Sequence, residues 1–361
     1  MTASAQQLSG IQMLRGIAAV SVVFLHGFHR AFLVGVDTPN HGWLTTVGAV
    51  GVDLFFVISG FIMLYVSFRE KSAPPQPGRF LLRRVARIYP FYWICCFGVV
   101  VLWMAGFYKS GGFTAGTITQ SIFLLPNQHL LTTVSWTLSY EMFFYLIFAA
   151  TLVFRSRVVS ALLSTFVITA VIIIASFLPD GEMTRFLSNP VMLEFCFGLL
   201  LALAWSRGVR ATSVLWMVPG FLVIMAVPLF VADGRSWYEW PSLVRPLVWG
   251  LPAVAVLAGF LAVGPSRLPW ARFCVLLGDA SYAIYLTHTF IMEVYSWLLV
   301  RTAFGELPQL PVVPVVVGLA VAVGIAAHIF IEAPIITAAG NFLRTQRGGI
   351  LAGESSPGPS V

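Results

Sequence analysis

Ile11-Gln-Met-Leu-Arg15-Gly-Ile-Ala-Ala-Val-Ser-Val-Val-Phe-Leu-His26 is an apolar run that carries an arginine and a histidine. A run of this character reads as one pass of a membrane-spanning helix. Ionisable side chains inside such a pass are costly and usually functional. Eleven residues make about three helical turns, so Arg15 and His26 share a face and stand roughly 16 Å apart along the axis. One helix therefore presents a fixed charge and a nucleophile or base at two depths.

The rest of the chain has the same character. Of its 361 residues 58% are hydrophobic and 10% charged, and the mean hydropathy is +0.89. A soluble core could not hide that much apolar surface. Aromatic residues, at 14%, suit interfacial belts as well as packing. The formal net charge of +7 would invite a nucleic-acid partner, but its distribution fits membrane topology better, and no nucleic acid is expected. The four cysteines, Cys95, Cys96, Cys196 and Cys274, lie in or beside apolar runs. Their spacing matches neither a disulfide framework nor a zinc site, so they read as small core residues, and no metal or tightly bound cofactor is expected. No basic stretch precedes the first run and no small-residue cleavage site follows it, so the run is expected to be a retained helix rather than a signal peptide.

Apolar runs long enough to span occur near 8–28, 45–68, 87–106, 138–155, 158–178, 190–206, 213–231, 244–263, 280–300 and 311–335. Ser121–Asn127, ahead of the fourth, is apolar but broken by Pro126 and reads as a candidate re-entrant segment. Fourteen basic residues fall in one set of alternate loops and the C-terminal tail, against six in the other set (Arg30, Lys109, Arg185, Arg235, Arg245 and Arg301), with Arg15 inside the first helix. The positive-inside rule places the richer set in the cytoplasm. The expectation is an all-α polytopic membrane protein, a bundle of about ten transmembrane helices with both termini cytoplasmic. Residues 1–340 form a single transmembrane domain, and 341–361 form a tail rich in Gly, Ser and Pro that is expected to be disordered.

This topology sets depths. His26 falls close to the outer end of the first helix, and Asp53 in the outer third of the second. The stretch Ser135-Trp136-Thr-Leu-Ser-Tyr140-Glu141 falls near the outer side of the fourth. His26, Asp53 and Glu141 are thus expected at one level, lining a polar pocket. On the cytoplasmic side, Arg84 and Arg87 in Arg79-Phe-Leu-Leu-Arg83-Arg84-Val-Ala-Arg87 share a face if the segment is helical. Paired guanidinium forks suit phosphate groups. A substrate with phosphates in the cytoplasm and a reactive end deep in the membrane has the shape of a coenzyme A thioester. His26 can act there as a base or as an acyl-accepting imidazole, with Glu141 or Asp53 as its tuning carboxylate. The picture requires Arg15 and His26 to face one shaft open to the cytoplasm.

Six segments bear on the family. They are Leu14–His26 and Gly51-Val-Asp-Leu-Phe-Phe-Val-Ile-Ser-Gly-Phe61, then Arg84-Val-Ala-Arg87-Ile-Tyr-Pro90 and Ser135-Trp-Thr-Leu-Ser-Tyr-Glu141-Met-Phe-Phe-Tyr145. Gly278-Asp-Ala-Ser-Tyr-Ala-Ile-Tyr285-Leu-Thr-His288 and Glu332-Ala-Pro334 complete the set. In this order the chain resembles the acyltransferase 3 family of membrane O-acyltransferases, especially members acting on exopolysaccharide or lipopolysaccharide sugars. The resemblance implies ten helices in a bacterial inner membrane. It implies acyl-CoA, most often acetyl-CoA, as donor substrate and a hydroxyl of an exported carbohydrate or its lipid-linked precursor as acceptor. Membrane lipids and polysaccharide assembly proteins are the further partner classes. In this reading His26 is the essential histidine, Arg15, Arg84 and Arg87 serve the donor, and Glu141 supports the outer site.

Other readings stand beside these. Asp53 reads equally as a structural partner for a buried donor. Arg84 and Arg87 double as positive-inside anchors. His288, near Ser281, Tyr282 and Tyr285, either lines the donor channel or satisfies a core hydrogen bond. His328 and Glu332, four apart, are expected to pair. Glu194 and Glu293 need partners that the sequence does not name. Ser135, Trp136, Tyr140, His129, Tyr285 and His288 are the pocket and acceptor candidates. Macrolide acyltransferases of the same family, a transporter or flippase for an anionic lipid, and a non-catalytic scaffold are the competing functions.

Overall fold

Backbone groups in hydrocarbon must bond within the chain, which selects helices for a sequence this apolar. The computed structural model describes residues 3–32, 41–44, 46–69, 75–107, 113–126, 130–209, 214–231, 243–262 and 269–342, and among them there is no strand. The helices are α1 Ala3–Phe32, α2 His41–Leu44, α3 Val50–Ser67, α4 Pro77–Met104, α5 Ala115–Ile122, α6 Trp136–Thr151 and α7 Arg157–Ala175. They continue as α8 Glu182–Leu187, α9 Leu193–Ser206, α10 Met217–Val231, α11 Leu251–Leu261, α12 Pro269–Asp279, α13 Ser281–Arg301 and α14 Gln309–Ala327.

Among the described residues eight helical segments are long and apolar enough to cross a membrane. Two shorter apolar helices, Met217–Leu229 and Pro246–Leu261, take the seventh and eighth of the ten expected positions. Two elements depart from the sequence reading. The third span starts at Pro77, ten residues ahead of the apolar run, because Pro77 sits in the first turn, where its missing N–H costs nothing. The basic stretch is thereby the opening of the helix and not a loop. α12 is an additional helix, too short to span, that packs along α1.

α3 is the central element, and it packs most extensively on α9. The contact depends on two glycines. A methyl group at Gly60 would stand 2.1 Å from the carbonyl oxygen of Phe195, and one at Gly198 would stand 2.1 Å from that of Val57. Bare backbones in van der Waals contact are how membrane helices associate without a hydrophobic driving force. α1 packs against α3, α12, α13 and α14, and Ile17 on its remaining face is exposed.

The segment ahead of α6 is held on α4. Tyr92 Oη donates to the carbonyl of Ser121 at 2.9 Å, Tyr89 Oη to that of Phe123 at 3.1 Å and Trp93 Nε1 to that of Ile122 at 3.0 Å. Leu124 turns the chain back in the left-handed region, with φ of 53°. The candidate re-entrant segment is thus a short helix and a tight turn docked on a neighbour. On the side assigned to the cytoplasm, Arg157 Nη2 donates to the carbonyl of Phe68 at 2.6 Å and ties α7 to the end of α3.

Candidate active site

Five helices meet around one cavity. Arg15 comes from α1, Ser59 from α3, Arg84 and Arg87 from α4, Thr137, Glu141 and Tyr145 from α6, and Ser281, Tyr282 and Tyr285 from α13. About 850 Å³ of space, part of it open to solvent, lies among these side chains. α4 is helical through 84 and 87, so the two guanidiniums share a face as the spacing requires. Arg84 lies over the rings of Phe80 and Tyr145, 5.6 and 5.9 Å from their centroids. Its Nε is buried with no hydrogen-bond partner among the described residues. Arg15 Nη1 donates to Gln12 Oε1 at 3.1 Å, and Gln12 in turn donates to Asp279 at 2.6 Å. Three guanidiniums against one carboxylate make the cavity a place for an anion with planar, bidentate oxygens.

Glu141 belongs to this level and not to that of His26. Its Oε1 accepts from Ser59 Oγ at 2.6 Å and from Tyr145 Oη at 2.5 Å. Ser59 lies six residues along α3 from Asp53, about 9 Å deeper. The sequence placed Glu141 with His26 by assuming a span start near residue 138, whereas the span begins at Thr133, which sets Glu141 further in.

Asp53 takes the structural reading that stood equally beside the catalytic one. Arg245 Nε donates to Oδ1 and Arg245 Nη2 to Oδ2, both at 2.9 Å. Asp53 is fully buried, and buried Glu194 lies beside the pair. The carboxylate is therefore the structural half of an ion pair and not the tuning partner of His26. Arg245 read as an outer-loop cation, yet it opens a π-helical turn, Pro246–Gly250, that enters the bundle. Glu293 takes Arg30 as its partner, and His328 Nδ1 meets Glu332 Oε2 at 2.7 Å within the π turn His328–Glu332, as the spacing suggests.

The imidazole of His26 stands against a second imidazole. Its ring centroid is 5.1 Å from that of His288, with an interplanar angle of 70°. His26 Nδ1 lies 3.0 Å from the carbonyl oxygen of Val22, and His288 Nδ1 lies 3.2 Å from that of Ile284. A carbonyl oxygen only accepts, so both Nδ1 atoms carry protons, and in the neutral rings both Nε2 atoms are lone-pair acceptors. His288 Nε2 is buried with no partner among the described residues, a vacancy that costs about 1–3 kcal/mol.

His26 does not line the cavity. The expected open shaft ends at an aromatic pair, Phe55 and Tyr285, with centroids 5.9 Å apart and edge to face. Tyr285 lines the cavity, and its ring centroid lies 6.0 Å from that of His288. Its hydroxyl donates to the carbonyl of Val134 at 2.9 Å and lies 2.9 Å from Thr137 Oγ1. One residue thus touches both the arginine cavity and the histidine pair.

The remaining candidates lie elsewhere. Ser135 Oγ donates to the carbonyl of Thr132 at 2.7 Å, Tyr140 stacks on Phe186 at 4.2 Å, and Trp136 meets Phe56 and Tyr140 edge to face. These three build the wall behind α6, and His129 lies outside the described residues. The sequence reading missed Thr137 and Tyr145. Their signal was the spacing of four residues either side of Glu141, which puts 137, 141 and 145 on one stripe.

The chain is a helical membrane bundle that holds an arginine-lined cavity and, beyond it, a pair of adjacent imidazoles. The acyltransferase domain family matches residues 8–330, and the chain belongs to it. Among curated relatives, the exopolysaccharide production protein ExoZ of Rhizobium meliloti (strain 1021) is 32% identical over 313 residues, covering 81% of this chain and 90% of the relative. Acyltransferase MdmB of Streptomyces mycarofaciens is 27% identical, covering 80% and 79%. O-acetyltransferase OatA of Staphylococcus aureus (strain NCTC 8325 / PS 47) is 23% identical over 92% of this chain and 58% of the relative. No solved structure matches. The chain is a multi-pass membrane acyltransferase.

Proposed function

We propose that this enzyme moves an acyl group, acetyl in the first instance, from acyl-CoA to a hydroxyl of an exported polysaccharide or its lipid-linked precursor, in the bacterial inner membrane. The observation that carries this reading is the cavity shared by Arg15, Arg84, Arg87 and Glu141, connected through Tyr285 to the His26–His288 pair. The guanidiniums hold the phosphates of the donor at the cytoplasmic end. Glu141 supplies one carboxylate to a site that carries three positive charges and accepts hydrogen bonds from the polar groups of the arm. For the acyl end to reach Nε2 of His26, the nitrogen free of a backbone bond, the Phe55–Tyr285 pair that closes the cavity must part. The hydroxyl of the acceptor then gives up its proton, the ester forms, and coenzyme A leaves as the thiol. The carbohydrate acceptor is supported by the name of ExoZ, and the acetyl group by that of OatA.

The test is purified protein in liposomes with labelled acetyl-CoA and a soluble oligosaccharide from the host's surface polysaccharide. Label is expected on the saccharide as a base-labile ester, and His26→Ala is expected to abolish it while eluting as the wild type does. A wild-type protein that neither cleaves the thioester nor transfers label overturns the proposal.

A further inference from the structure

The two imidazoles present a chemical surplus. A single base suffices if donor and acceptor meet directly, yet the bundle holds two neutral rings 5.1 Å apart, each with Nδ1–H donated to the carbonyl four residues earlier on its own helix. The arrangement fixes one tautomer twice, and each ring keeps its basic lone pair on Nε2. His288 is fully buried, and its Nε2 has no donor among the described residues. Buried acceptors are almost always satisfied, and one left open calls for an explanation. The rings also differ in access, because His26 is only half-buried while His288 lies wholly inside.

We infer that His288 is the general base of a two-step transfer in which His26 is the nucleophile, an assignment that rests on the acyltransferase reading above. In the first step the lone pair of His26 Nε2 attacks the thioester carbonyl. The C–N bond forms, the C–S bond breaks, and the coenzyme A thiolate leaves and takes a proton from water. His26 keeps its Nδ1–H bond to Val22 and is an acyl-imidazolium. In the second step an acceptor hydroxyl attacks the acyl carbon while His288 Nε2 takes its proton. The ester C–O bond forms, the C–N bond breaks, and His26 returns to the neutral ring. His288 then loses the proton to water. The rings are in edge-to-face contact with centroids 5.1 Å apart, so a hydroxyl bound at the Nε2 edge of His288 lies beside an acyl group carried on the neighbouring ring. Donor and acceptor then never need to occupy the site together, and they approach from opposite sides of the membrane.

The discriminating variant is His288→Asn, whose amide nitrogen stands near the place of Nδ1 and keeps the bond to Ile284 while removing the base. Free coenzyme A is measured chromatographically after acetyl-CoA is mixed with the full-length protein, first without and then with a saccharide acceptor. The wild type is expected to release about one coenzyme A per protein before acceptor is added. H288N is expected to give the same burst but to turn over at least about 10²-fold more slowly with acceptor, the low end for loss of a general base, and His26→Ala to show neither. Turnover of H288N at the wild-type rate overturns the assignment, as does loss of burst and turnover together in a variant that elutes as the wild type. A wild type that turns over with both substrates but gives no burst overturns the two-step route and leaves the acyltransferase reading standing. A wild type inert in both assays overturns both.

Discussion

At the scale of single residues, removing one half of a buried ion pair leaves the other charge without a partner, at a cost of about 3–5 kcal/mol. Asp53 and Arg245 are such a pair, bidentate and buried, whereas the exposed Arg185–Asp180 pair at 2.8 Å is not. Asp53→Ala and Arg245→Ala are each expected to lower the melting temperature of the detergent-solubilised protein sharply. The double variant is expected to lose less than the sum, and Asp180→Ala to stay within error of the wild type. Strict additivity of Asp53 and Arg245 would contradict the pairing. The arginines proposed to hold the donor make a second prediction. Arg84→Ala and Arg87→Ala should raise KM for acyl-CoA at least about tenfold with little change in KM for the acceptor. Arg84→Lys should recover only part of the loss, because a point charge does not replace a planar fork stacked on Phe80 and Tyr145. Equal changes in both KM values would return these residues to the role of topological anchors. The sequence exposed Arg15, His26, Arg84 and Arg87 because ionisable groups stand out against an apolar background. It could not expose the pairing of Asp53 with Arg245, which lies 192 positions away, since no local pattern encodes a partner across the bundle.

Element by element, the apolar runs located the helices to within a few residues, since span length is set by bilayer thickness. They did not mark α12, whose eleven residues fall below a span, nor the ten residues of α4 that precede its apolar part, because polar helix below the membrane has no hydropathy signal. Helix contacts were equally hidden, although small residues were visible within the runs. At the crossing of α3 and α9 a single methyl group must displace backbone, for Gly60 and Gly198 each approach a carbonyl oxygen to 2.1 Å of where Cβ would be. Gly60→Ala and Gly198→Ala are therefore expected to reduce the yield of monodisperse protein several-fold. Gly318→Ala on the exposed face of α14, where nothing lies within 4 Å, is expected to be neutral or slightly stabilising through helix propensity. Normal yield from Gly60→Ala would mean that the two helices pack less closely than described.

For the molecule as a whole, function follows from which end faces the cytoplasm. The bias in basic residues read from the sequence is expected to set the arginine end inside, and the cavity among Arg15, Arg84 and Arg87 is then expected at that end. Two exposed loop positions test the sidedness directly. Asp180 follows α7, which starts from the inner side at Arg157, and Arg207 follows α9, which returns inward. In a background with Cys274 replaced by serine, Asp180→Cys should react with a membrane-impermeant maleimide in intact cells. Arg207→Cys should react only after permeabilisation. Chemistry must obey the same orientation, because acyl-CoA does not cross a sealed bilayer. Acetyl-CoA added outside inverted membrane vesicles is therefore expected to support acyl transfer, and the same addition to right-side-out vesicles to give none until detergent opens them. Transfer in sealed right-side-out vesicles would place the arginine cavity on the outer face, and the charge bias would then have to be overridden by the buried pairs that fix the helices to one another.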